Sequence, residues 1–169
     1  MKTIHFMLVS VLVGAVAAAR ADGHAVRKTL NALYADQFRA MEHKDLKGAM
    51  ADVTGDFTFV YPGHGTINRK QAETEMRILF ASEESAKMTY VLDSVQVHGS
   101  SAVVVITEAG SFLGKDLEGR LGARGKVHRI ADKSRSRDEW IKTSGGWKCR
   151  KSTVLSDRMT VDGKPFQRQ

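Results

Sequence analysis

The stretch RSRDEWIKTSGGWKCRKST, Arg135–Thr153, decides the fold. It reads as two strands, Ser134–Lys142 and Trp147–Val154, joined through Thr143-Ser144-Gly145-Gly146. Side chains alternate across a pleated strand, so this pairing puts Trp140, Trp147 and Cys149 on one face, with Asp138 and Lys151 further along it. The other face carries Arg135, Arg137, Glu139, Lys148 and Arg150. Burying that second face would strand five charges, so only the tryptophan face is expected to meet a core.

The preceding chain supplies what that face packs against. From His24 to Glu42 the apolar positions Val26, Leu30, Leu33, Tyr34, Phe38 and Met41 recur at helical steps, predicting an amphipathic helix. Asp45 is placed to cap a short second helix. Phe57, Phe59 and Tyr61 alternate on one side of a strand over Asp56–Tyr61. Pro62-Gly63-His64-Gly65 forms a loop at its end, and Asn68 with Gln71 has the pattern of a capping box opening a helix to about Ser82. The apolar stripe of that helix is Ala72, Met76, Leu79 and Phe80. Lys87–Val97, alternating through Val91, Val95 and Val97, and Ala102–Leu113 read as strands, the second with Glu108 in phase with Val104, Ile106 and Phe112. Gly114–Ser134, rich in charge and glycine, reads as a long mobile connection. Leu155–Gln169 reads as a polar tail.

At the other end, Met1–Ala21 has Lys2, an apolar run from Ile4 to Val16 and Ala19-Arg20-Ala21. This is the layout of a secretory signal peptide with cleavage after Ala21, and the apolar run is too short for a span. The expectation is a periplasmic or secreted protein with no stable membrane insertion after cleavage. Its parts are a signal peptide over 1–21, one domain over 22–155 and a tail over 156–169. The whole chain of 169 residues has formal net charge +7. Much of the excess lies in Lys115–Arg137, a solvated loop or a site for acidic ligands or membrane phosphates. The single cysteine leaves the domain without an internal disulfide.

The element order argues for α+β. It resembles the nuclear-transport-factor-2-like superfamily, closest to its SnoaL-like branch. The features that carry the resemblance are the opening helix, Asp45-Leu46 to Asp56-Phe57, Gly65 before the helix Arg69–Ser82, the strand pair around Gly99, and Arg137-Asp138-Glu139-Trp140-Ile141-Lys142 with Gly146-Trp147-Lys148. The resemblance implies a strongly curved antiparallel sheet packed on three N-terminal helices, a cone with an internal apolar cavity, and often a homodimer formed through the sheet's outer face. Its relatives include steroid isomerases, polyketide cyclases, dehydratases and non-catalytic binders.

Proton transfer in such a cavity needs a base and a donor in a dry pocket. The catalytic candidates are Asp138, His64 and Tyr61. The candidate cavity lining is Tyr34, Phe57, Phe59, Met76, Phe80, Trp140, Trp147 and Lys151. Asp138 and Lys151 could equally form a cross-strand ion pair. The histidines show no two-ligand spacing and no second cysteine exists, so no metal and no cofactor are expected. No phosphate-cradling loop precedes a helix, and the basic segment lacks interleaved aromatics, so nucleic acid is not expected as a partner. The leading reading is an exported protein that holds a small apolar or amphipathic molecule. The alternatives are an acid/base isomerase, cyclase or dehydratase, and an assembly module whose outer face, with Arg137, Lys148 and Arg150, meets an acidic partner.

Overall fold

The computed structural model describes residues 7–61, 63, 65–117, 119, 121 and 124–166, and side chains from residue 23 onward. Helix α1 runs Met7–Glu42 and α2 Leu46–Ala49; β1 (Val53–Tyr61) and β2 (Gly65–Asn68) precede α3 (Arg69–Ser82). Then come β3 (Glu83–His98), β4 (Ser101–Lys115), β5 (Val127–Thr143), β6 (Gly146–Val161) and the short β7 (Lys164–Phe166). The strands form one sheet in the order β2-β1-β6-β5-β4-β3, with β7 also on β6. The architecture is the expected α+β cone, a curved sheet with helices at its N-terminal side. The sheet is mixed, not wholly antiparallel, because β1 joins β6 in parallel.

Helix α1 forms where the apolar stripe predicts: Leu30, Tyr34 and Phe38, four residues apart, are all buried. They pack with Leu92, Val104, Ile106, Trp140, Trp147 and Cys149 into one core. Among the described residues, no helix is long and apolar enough to cross a membrane. Asp45 caps α2 by accepting from the Gly48 amide at 3.0 Å, and Asn68 with Gln71 forms the capping box of α3. None of α3's residues is fully buried; Met76 and Ala72 pack on the edge of the core, half exposed.

The opening hairpin pairs Thr143 with Gly146 and Trp140 with Cys149. Gly146 has φ +104°, which L side chains rarely adopt, so glycine is required at this corner. Beyond Cys149 the ladder slips: Glu139 pairs with Lys151 and Asp138 with Ser152. The extra residue, Arg150, is a β-bulge that shifts the face parity of everything after it. Lys151 therefore shares the outer face with Glu139. This corrects its placement on the tryptophan face and removes it as the cross-strand partner of Asp138.

A second bulge, between Leu92 and Ser94, does the same to β3. Val91 faces outward and is 63% exposed, while Val95 and Val97 pack against the core. The connection expected over Gly114–Ser134 is strand at both ends, and residues 116–126 lie between β4 and β5. Buried Asp116 closes that loop by accepting from the Gly119 and Leu121 amides at 2.7 and 2.8 Å. In the stretch read as a polar tail, β6 runs on to Val161 and β7 (Lys164–Phe166) follows after the turn at Asp162-Gly163. A third bulge, beside Leu155, had disguised the alternation there.

Candidate functional site

At the base of the cone, α1 brings Tyr34 against β5. Its hydroxyl donates to Asp138 Oδ2 at 2.5 Å and accepts from Trp140 Nε1 at 2.9 Å. The Tyr34 and Trp140 rings meet edge to face, 5.3 Å between centroids. Tyr34 is 2% exposed and Asp138 5%. Burial raises the pKa of both; the adjacent Asp138 pushes Tyr34 up further, whereas the hydrogen bonds of Tyr34 and Ser152 to Asp138 offset part of its rise. Cys149, on the next strand, is a free buried thiol also pushed up by burial and by the Asp138 charge. It is a core residue, as its position between the tryptophans predicts.

Further along the same face the inner positions turn polar. On β4, Glu108 lies opposite Ser134 of β5, and Ser134 lies opposite Asp157 of β6. Ser134 Oγ donates to Glu108 Oε2 at 3.4 Å. Glu108 is partly exposed, and its pKa is pushed up to about 7, first by desolvation and then by the charges of Asp138 and Asp132. Across the row, the Tyr61 hydroxyl donates to Asp157 Oδ2. Neighbouring strands lie about 4.8 Å apart, so Glu108 and Asp157 stand in one row roughly 10 Å apart, with Ser134 between them. Phe59 stands beside Tyr61, 6.1 Å between ring centroids.

The structure thus brings Tyr34, Asp138 and Trp140 together, and places Tyr61 with Asp157 further up the same face. Phe57 and Trp147 are buried core residues; Phe59, Met76 and Phe80 are half-buried. Lys151 is on the other side of the sheet, and His64 lies outside the described residues. Asp157 and Asp132 were not among the sequence candidates; the bulges in β6 and the charged surroundings of β5 hide their phase. Among the described residues, no group of three or more His, Cys, Asp and Glu side chains could hold a metal ion. A separate groove of 510 Å³ opens between α1 and β3, lined by Phe38, Glu42, Met88 and Tyr90 among others. It sits at the free edge of the sheet, and Tyr90 on its wall is the direct cross-strand neighbour of Glu108.

No family model matches the chain, and no curated protein does. Solved structures do. A scytalone-dehydratase-like protein from Novosphingobium aromaticivorans superposes with TM-score 0.69 at 12% identity, over 88% of this chain and 93% of its own. Hexachlorocyclohexane dehydrochlorinase LinA-type3 from Novosphingobium barchaimii gives 0.63 at 16% identity, over 89% and 99%. A dehydratase-like protein of the NTF2-like family from Streptomyces avermitilis gives 0.60 at 17%, over 79% and 99%. With the N-terminal helices packed on the curved sheet, these likenesses show that the chain has the NTF2-like, SnoaL-like cone fold.

Proposed function

We propose that this protein binds a small amphipathic molecule on the concave face of its sheet and transfers a proton there, with Glu108 as base. The observation that carries the reading is the state of Glu108. A carboxyl held near neutrality, half-buried beside Tyr90 on the next strand, is poised to take a proton at ordinary pH and return it. The Tyr61–Asp157 pair on the far side of the row is the donor able to steady charge developing on the ligand. Asp138 is sealed between Tyr34, Trp140 and the core, so its role is to position this floor and to raise Glu108. Solved structures of this shape include proteins named as dehydratases and a dehydrochlorinase, and this supports the reading only at the level of the fold. The signal-peptide layout of Met1–Ala21 adds export to the proposal. The mass of the protein purified from its own host would read cleavage after Ala21 directly.

The test is elimination of 5-nitrobenzisoxazole. A base takes the ring C–H proton as the N–O bond breaks, releasing a coloured cyanophenolate. Turnover that rises through about pH 7 and is abolished by Glu108→Gln is the expected result. Turnover that is absent, or indifferent to Glu108→Gln, would contradict the catalytic reading and leave binding alone.

A further inference from the structure

The outer face of the sheet carries a charge pattern unrelated to the concave site. On β5, Arg129, Lys133, Arg135 and Arg137 are all exposed and all in phase, so they form one row along the strand. On β6, exposed Arg158 stands directly opposite Lys133. Like charges opposite one another in a ladder are destabilising. The nearby acids are already engaged: Asp93 with Arg135 at 2.9 Å, and Glu139 with Arg137 at 3.4 Å and Arg150 at 3.8 Å. Among the described residues, the side chains of Arg129, Lys133 and Arg158 have no ion pair. The floor between these cations is small and flat: Thr107, Ala109, Ser111, Ala131 and Ser156.

Around this row stand exposed aliphatic side chains. Val91 is 63% exposed, Leu155 48% and Leu113 36%, the last directly opposite Arg129. Among the described residues, no aromatic is among the large exposed hydrophobics. Strand β5 is flanked by β4 and β3 on one side and by β6 and β1 on the other. On a sheet curved around its helices, its outer face is the crest that a plane touches first.

We propose that this crest is a docking surface for an anionic phospholipid bilayer, with the cation row on the headgroup phosphates and the flanking aliphatics at the interface. A cluster of lysines and arginines ringed by aliphatic side chains is the composition such a surface selects. A single-stranded nucleic acid would need stacking aromatics, which the face lacks. A second copy related by a twofold axis through the row would set cation against cation.

The test is co-sedimentation of the full chain with phosphatidylcholine vesicles, with and without phosphatidylglycerol. The N-terminal run carries Lys2 and Arg20, and its contribution is the same in parent and variant, so the variant comparison isolates the crest. The expected result is a preference for phosphatidylglycerol that salt weakens. In the variant Arg129→Gln/Lys133→Gln/Arg158→Gln, partitioning should drop roughly fivefold per cation, about a hundredfold in all, with the melting temperature unchanged or raised. Equal partitioning to both vesicle types, or an unaffected variant, overturns the proposal. So does retention on heparin without preference for phosphatidylglycerol, which would assign the row to a soluble polyanion.

Discussion

Tyr34 and Asp138, 104 residues apart in the chain, meet at 2.5 Å in the buried floor of the cone, and Trp140 closes the contact from above. One hydroxyl thereby satisfies a carboxylate oxygen and an indole N–H in a place where leaving either unpaired is costly. Tyr34→Phe is expected to destabilise the fold by about 1–3 kcal/mol. The hydrogen bond from Tyr34 lowers the Asp138 pKa, so its loss raises that pKa further. A buried acid with a raised pKa costs stability as pH climbs above its unfolded value, so the loss should be larger near pH 8 than near pH 4. Urea unfolding at the two pH values checks this.

Glu108 follows the same linkage with a stated value. Its folded pKa of about 7 exceeds the ordinary 4.5, so the folded state binds the proton more tightly. Stability is full below the unfolded value and falls as pH rises to about 7. Glu108→Gln cannot ionise and escapes that loss. The variant should melt higher than the parent near pH 8 and show no gain near pH 4, as read by thermal scans.

Lys151 faces away from Asp138 across the Arg150 bulge. Lys151→Gln is expected to change stability by less than about 0.5 kcal/mol. It should also leave the Glu108 titration where it is. A shift in that titration would return Lys151 to the inner face.

Asp116 holds the β4–β5 loop by accepting from two amides while buried. Asp116→Asn keeps the shape but weakens both bonds. Faster hydrogen exchange at Gly119 and Leu121, with the sheet amides unchanged, is the expected result.

What was legible in the sequence was whatever kept a strict period. The α1 stripe, the Asn68–Gln71 cap and the Trp140, Trp147 and Cys149 face follow from spacing alone, and Glu108 was visible in phase with Val104 and Ile106. Three misplacements begin at a bulge. One inserted residue at Arg150 moves Lys151 to the outer face, one at Asp93 turns Val91 outward, and one at Leu155 hides the last third of β6. Nothing local marks a bulge, because its energy comes from the curvature of the whole sheet. In β5 the inner positions His128, Asp132 and Ser134 are polar, so the usual apolar alternation is absent from a true strand. The meeting of Tyr34 with Asp138 is a tertiary contact that neither segment encodes by itself.

The central claim is that the concave face holds a carboxyl tuned to neutrality, and the most direct measurement is the titration of Glu108 itself. The side-chain carboxyl carbon can be followed by 13C NMR and assigned by its loss in Glu108→Gln. A midpoint near 7 is the predicted result; a midpoint in the ordinary glutamate range, about 4.3, would contradict it and leave the face without a base.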